Sequence, residues 1–220
     1  MLDDDGLAAL NAAGRRRTVP AGQVLMWEGD RSLVCATLVA GVLKIVRSGP
    51  DGSTHIVGLL FPGDFVGQVF GGQVFDERAS ETIQALGEAD LCVYPRAALQ
   101  QACDRQPAVE RLLLHRALAT LNEARAWMLM LGRKDASAKI ATFLIDMARR
   151  MGASGPATHQ GAVRFDLPMS RSDIGAALAL TIETVSRQMT ALRCVGIIAL
   201  PGGRAVEILD RARLQARAAA

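Results

Sequence analysis

The chain has 220 residues, half of them hydrophobic, and a formal net charge of +3. At about 150 residues per domain, that length fits one large domain or two small ones. The apolar content supplies a sizeable core and excludes wholesale disorder. No stretch approaches the roughly 18 consecutive apolar residues of a membrane span. The opening Met-Leu-Asp-Asp-Asp-Gly is the opposite of a positively charged signal-peptide start, so a cytoplasmic protein without a membrane partner is expected.

Charge is unevenly distributed. Residues 1–132 carry 12 Lys/Arg against 15 Asp/Glu, whereas residues 133–220 carry 13 against 7. A basic C-terminal part suggests that nucleic acid meets the second half, although a solvated basic surface would leave the same mark. Cys35, Cys92, Cys103 and Cys194 form no C-x-x-C pair, and His55, His115 and His159 are equally scattered. A zinc finger, a disulfide framework and a cupin-like metal enzyme are therefore not expected.

In chain order, Asp3–Ala13 suits a short helix with acidic residues in its first turn and Gly14 with Arg15–Arg17 at its end. From Val19 to about Tyr94, short apolar runs (Val24–Trp27, Thr37–Val39, Val42–Val46, His55–Leu60, Leu91–Tyr94) alternate with Gly-bearing turns. Strands about 8–12 residues apart with turn chemistry between them predict an all-β sandwich or barrel, read here as a small β-barrel and not a parallel sheet. Arg96–Asp104 predicts a short helix, and Pro107 opens a long one reaching about Leu131. That helix is apolar on more than one side, so it is either an ordinary core helix packed on the barrel or, the favoured reading, one packed on the barrel and on a second copy of the chain. Val109, Leu113, Leu121 and Met128 are the candidate dimer residues. Gly132–Asp135 is the expected hinge. A helix from Ala136 to Met151 follows, with Ile140, Phe143, Leu144 and Met147 on one face, then a loop over residues 152–161.

Leu167–Leu209 is the most informative stretch. Ser170-Arg171-Ser172-Asp173 is a capping box opening a helix to about Leu178, which breaks at Ala179-Leu180. Thr181 caps a second helix, Ile182 to about Cys194, ended by Gly196. Ile197–Leu200, a Pro201-Gly202-Gly203 turn and Arg204–Leu209 then form a hairpin. The whole is a winged helix-turn-helix, and the fold class is α+β. Glu183, Ser186 and Arg187 share one face of the second helix, whose first turns enter the major groove in such motifs. Arg reaches guanine O6/N7, Glu accepts from cytosine N4, and Ser reaches a base or phosphate. The same residues would also serve an ordinary helix start with an i,i+4 ion pair. Thr181 and Ser170 at the helix starts, with Arg171, Arg193 and Arg204 as phosphate contacts, complete the candidate DNA-binding set.

The run Met169-Ser170-Arg171-Ser172-Asp173-Ile174 through Leu180-Thr181-Ile182-Glu183-Thr184-Val185-Ser186-Arg187 resembles the helix-turn-helix of the CRP/FNR transcription regulators. The E-x-x-S-R recognition helix is most similar to the FNR/FixK branch. Pro20-Ala21-Gly22-Gln23, Gly29-Asp30 and Pro62-Gly63-Asp64-Phe65-Val66-Gly67 resemble that family's barrel turns, and Trp127–Lys134 resembles the end of its dimerisation helix.

The resemblance implies a cyclic-nucleotide-binding-like barrel (jelly roll) over 1–106, a dimerisation helix over 107–132 and a DNA-binding domain over 133–220. It implies a homodimer on a TTGAT-N4-ATCAA-type palindrome, with Glu183, Ser186 and Arg187 touching bases. Partners would be double-stranded DNA, a second copy and RNA polymerase, in oxygen, nitrogen-oxide or redox-related gene control. A regulator gated by a small molecule, haem or nitric oxide in the barrel is the alternative.

Three departures from the family pattern matter. Ala179 stands where a Gly is usual, a strain if the position needs positive φ. Gln68 stands where cyclic-AMP-binding members carry Glu, and Ala79-Ser80 stands where they carry Arg-Ser, with Arg78 one place out of register. Cyclic AMP is therefore not expected. Cys92 resembles the internal ligand of the oxygen-sensing branch's 4Fe-4S cluster, but nothing before Leu2 supplies the other three cysteines. The expectation is no cofactor and no metal, with Cys92 a vestige in the core. A cluster would require an N-terminal cysteine segment preceding this chain.

Overall fold

The computed structural model describes residues 14–30, 35–49, 52–67, 78–133, 135–151 and 163–219. They fall into two compact units that divide between Arg125 and Ala126. The helix expected over Asp3–Ala13 and the position of Gln68 lie outside the described residues.

The first unit contains eight strands: β1 (Arg15–Val19), β2 (Val24–Met26), β3 (Ala36–Ala40), β4 (Leu43–Ser48), β5 (Thr54–Leu60), β6 (Phe65–Val66), β7 (Thr82–Ala85) and β8 (Ala89–Val93). They pair antiparallel into two four-stranded sheets, ordered β1-β8-β3-β6 and β2-β7-β4-β5. One cluster joins their inner faces. Val19, Leu38, Val66, Ala89 and Leu91 come from the first sheet, and Met26, Leu43, Leu60, Ile83 and Ala85 from the second. Alternation along each strand produces this: in β7, Ile83 and Ala85 are buried while Thr82 and Gln84 are not. The result is the expected jelly roll, built as two facing sheets.

The turns follow the glycines. Gly22, Gly29, Gly41, Gly52 and Gly63 all have positive φ. Gly41 is the most constrained of them, because a Cβ there would lie 2.5 Å from the Glu88 carbonyl oxygen. Arg15–Arg17 correct the sequence expectation: they begin β1 and do not end a helix. β1 is the outer strand of its sheet, hydrogen-bonded to β8, and all three arginines are exposed.

α1 (Arg96–Arg105) follows β8, and Pro107 opens α2 (Pro107–Arg133), which crosses the division between the units. Pro suits that first position, where its missing N–H would have no helical partner. Helix geometry continues through Gly132 to Arg133, inside the expected hinge, and Lys134 lies outside the described residues. Asp135 then starts α3 (Ala136–Met151) by accepting from Ala138 N at 2.8 Å. Ile140, Phe143, Leu144 and Met147 are fully buried along α3, as their spacing predicted.

In the second unit, α4 (Arg171–Leu178) and α5 (Ile182–Cys194) form the helix-turn-helix. β9 (Val163–Asp166), β10 (Ile198–Gly202) and β11 (Ala205–Ile208) make the wing sheet in the order β10-β11-β9. The hairpin turn lies one residue beyond the expected place, at Gly203-Arg204, because the positive φ of Gly202 lets β10 extend to it. β9 and α6 (Arg211–Ala219) were not expected. Leu214 and Ala218 seat α6 in the core.

Ala179 is the junction of the motif. It closes α4 with φ 52° and ψ 51°, the only non-glycine positive φ among the described residues. Gly175 makes the junction tight: Leu180 N donates to its carbonyl at 2.9 Å, and a Cβ on Gly175 would meet the Leu180 carbonyl at 2.6 Å. Ala179→Gly should raise stability by about 1 kcal/mol, because glycine occupies the left-handed region without the Cβ conflict. Thermal unfolding of the two full-length proteins checks this, and an unchanged or lower midpoint contradicts it.

Candidate nucleic-acid interface

The interface is built on two helix starts. At α4, Ser170 Oγ accepts from Asp173 N at 3.1 Å, and Asp173 Oδ2 accepts from Ser170 N at 3.2 Å, which is the complete capping box. Ser170 Oγ also donates to Asp173 Oδ2 at 2.6 Å. This corrects the nomination of Ser170 as a DNA contact, because its hydroxyl is committed in both directions to starting the helix. At α5, Thr181 Oγ1 accepts from Thr184 N at 3.2 Å. Its hydroxyl proton has two acceptors within reach, Thr184 Oγ1 at 3.2 Å and the Glu183 carboxylate. Thr181 is a cap first.

The exposed face of α5 presents Glu183, Ser186 and Arg187 together. Thr190 extends that stripe one turn further and was missed in the sequence, although its spacing from Ser186 and Arg187 would have found it. Val185, Met189 and Leu192 hold the opposite face in the core. Ile182, at 46% exposure, sets an apolar side chain at the tip of the helix. Arg187 Nη2 rests 3.5 Å from Thr184 Oγ1.

The outlying arginines differ in kind. Arg193 is exposed at the end of α5. Arg204, at the wing turn, donates to the Pro168 carbonyl at 3.2 Å and so ties the wing to the segment entering α4. Arg171 is half-buried, with Nη1 inaccessible and without a hydrogen-bond partner, and burial pulls its pKa down. Arg213, not nominated, donates to the Val195 carbonyl just past α5 at 3.2 Å.

The nominated dimer residues separate along α2. Val109 is 3% exposed within its own chain, which corrects its nomination: a side chain buried there has no surface to offer a partner. Leu113 is half-buried and lines a cavity of about 620 Å³ in the first unit, which Leu121 also borders. Leu121 and Met128 are exposed, as are Leu114 and Leu118. Leu114, Leu118, Leu121, Arg125 and Met128 alternate spacings of four and three, the geometry of a coiled-coil seam.

The four cysteines are free and do not gather. Among the described residues no group of three or more His, Cys, Asp or Glu is placed to hold a metal. Burial pushes the thiols of Cys35 and Cys103 up, with Glu110 and Asp104 adding to the shift at Cys103. Cys92 faces Gly14 and is hydrogen-bonded to Tyr94, whose own pKa is raised chiefly by burial. No helix among the described residues is long and apolar enough to cross a membrane.

Glu183 is fully exposed, yet its pKa is lowered, first by its own backbone N–H and then by the Thr181 hydroxyl. A depressed carboxylate stabilises the helix start above the ordinary glutamate range and loses that contribution as pH falls through its folded value. Carboxyl NMR of Glu183 should therefore give a midpoint below that of an unstructured glutamate, and Thr181→Val should move it back up. A midpoint at or above the ordinary value contradicts this arrangement.

Residues 16–106 match the family described as cyclic nucleotide-binding domain, and residues 138–217 match the Crp-like helix-turn-helix domain. The chain is similar to the transcriptional activator protein FnrL of Cereibacter sphaeroides, 39% identical over 212 residues that cover 96% of this chain and 84% of that protein. It is also similar to the nitrogen fixation regulation protein FixK of Bradyrhizobium diazoefficiens, 35% identical over 219 residues that cover 100% and 88%. Among solved structures, FixK2 from Bradyrhizobium japonicum superposes with a TM-score of 0.81 at 29% identity, covering 94% of this chain and 98% of that one. These relatives are regulators of transcription and not enzymes. The chain belongs to the FNR/FixK branch of the CRP/FNR family and is a DNA-binding transcription regulator.

Proposed function

We propose that the protein is a homodimeric transcription activator that reads a TTGAT-N4-ATCAA-type palindrome. Glu183, Ser186 and Arg187 would contact bases, and RNA polymerase would be the downstream partner. The observation that carries this is the shared exposed face of those three residues on the first two turns of α5. Two-fold symmetry then sets a pair of these helices about one turn of DNA apart. In the free chain the Glu183 carboxylate turns back to its own helix start, so reaching cytosine N4 exchanges one set of donors for another. Ile182 is suited to thymine methyl groups. Arg193 and Arg204 are candidates for phosphate contacts, with Arg171 reaching phosphate through its less buried edge. The name of one relative, the nitrogen fixation regulation protein FixK, supports a role in nitrogen-related gene control.

We infer that the first unit acts without cyclic AMP. Among the described residues, the carboxylates of Asp64, Glu81 and Glu123 line its cavity beside one guanidinium, that of Arg116, a poor setting for a phosphodiester. Arg78, the nearest counterpart of the family's phosphate-binding arginine, donates to the Gly29 carbonyl at 2.8 Å. A 4Fe-4S cluster does not fit the residues of this chain, because it needs about four thiolates and the cysteines present are not grouped.

Fluorescence anisotropy of protein purified in air, on the palindrome and on a scrambled duplex at the same salt, tests the function. Tight binding to the first alone is expected. Arg187→Ala should cost about 1–3 kcal/mol on the palindrome and relax the preference for its guanine. Equal weakening on both duplexes would remove Arg187 from the base contacts. Sedimentation of Leu118→Glu tests the dimer: the wild type should sediment as a dimer and the variant as a monomer, while two identical profiles would move the interface off this face of α2.

A further inference from the structure

Lys139 is the one buried charged side chain among the described residues, 9% exposed in the first turn of α3 between Ala138 and Ile140, which are fully buried. Withdrawing an ammonium from water is costly, and no carboxylate pairs with it among the described residues. Its Nζ donates to the carbonyl of Leu178 at 3.4 Å. A second side chain arrives beside it: Trp127 Nε1, near the end of α2, donates to the carbonyl of Ala177 at 3.3 Å. These carbonyls close α4. The last carbonyls of any helix lack helical donors, and here both available backbone N–H groups, those of Ala179 and Leu180, go to Gly175. Trp127 and Lys139 therefore supply from outside what the left-handed turn at Ala179 takes from inside. The Lys139 charge also complements the negative end of the α4 dipole.

We propose that Trp127 and Lys139 are positioning residues for DNA recognition. By holding the Ala177 and Leu178 carbonyls from two separate elements, they fix the turn at Ala179 and with it the direction in which α5 presents Glu183, Ser186 and Arg187. Trp127 also places this control on the helix that carries the apolar seam, one residue before Met128.

The test uses the full chain as wild type, Trp127→Phe, Lys139→Met and Lys139→Arg. Binding is measured on the palindrome and on the scrambled duplex, with thermal unfolding alongside. Trp127→Phe keeps an aromatic ring and loses only the donor; it should weaken palindrome binding about fivefold, the worth of one net hydrogen bond, with scrambled-duplex binding unchanged. Lys139→Met should reduce the ratio of specific to nonspecific binding further, and Lys139→Arg should restore most of it. A ratio unchanged in Trp127→Phe overturns the proposal, as does an equal loss in Lys139→Arg and Lys139→Met, which would leave only packing at that position.

Because the proposal rests on the DNA reading above, a second readout is independent of DNA. In a Trp27→Phe background Trp127 is the sole tryptophan, and Lys139→Met should shift its emission to longer wavelength as the turn loosens. Failure of the wild type to discriminate the duplexes would overturn the palindrome reading alone. Unchanged emission in Lys139→Met would overturn this proposal alone.

Discussion

Three residues join α4 to α5, and at the first of them, Ala179, the backbone turns into the left-handed region. Its Cβ makes the left-handed conformation unfavourable, so the surrounding structure must hold it there. Gly175 lets the Leu180 carbonyl approach, Thr181 starts the next helix two residues later, and side chains from α2 and α3 close the carbonyl end. The exposed face of α5, with Glu183, Ser186 and Arg187, follows that reversal. The aim of Arg187 is thus decided by groups that never touch a base.

The same economy explains the double use of polar residues in the motif. Ser170 and Thr181 read in the sequence both as helix caps and as candidate DNA contacts, and in the fold their hydroxyls stabilise helix starts. Short hydroxyl side chains preceding a helix satisfy its free N–H groups before anything else can compete for them. Longer side chains one or two turns further on, where backbone donors are already paired, remain available for recognition. Position along the helix therefore separates cap from reader.

Much of the fold could be read from local chemistry. The glycine turns, the alternation within strands and the capping residues of α4 and α5 are each signals within a few residues. What could not be read depends on distant partners. Arg15–Arg17 form a strand only because β8, more than seventy residues away, pairs with them, and β9 exists only as the third strand against β11. Val109 belongs to the apolar pattern of α2, and spacing alone does not say which side of that pattern its own chain will cover. Lys139 gave no sign in the sequence, since a lysine in an amphipathic helix is ordinarily solvated; its burial arises from where α4 happens to end.

The three exposed arginines of β1 have a consequence for how copies of the molecule meet. An outer strand carries unpaired backbone groups and is a standing invitation for another chain to extend the sheet. Consecutive cations along that edge set like charge against like charge if two copies approach strand to strand. Open-ended growth of the sheet is discouraged there by charge repulsion alone. The arginines need bind nothing to matter: they make this edge a poor place for two copies to join.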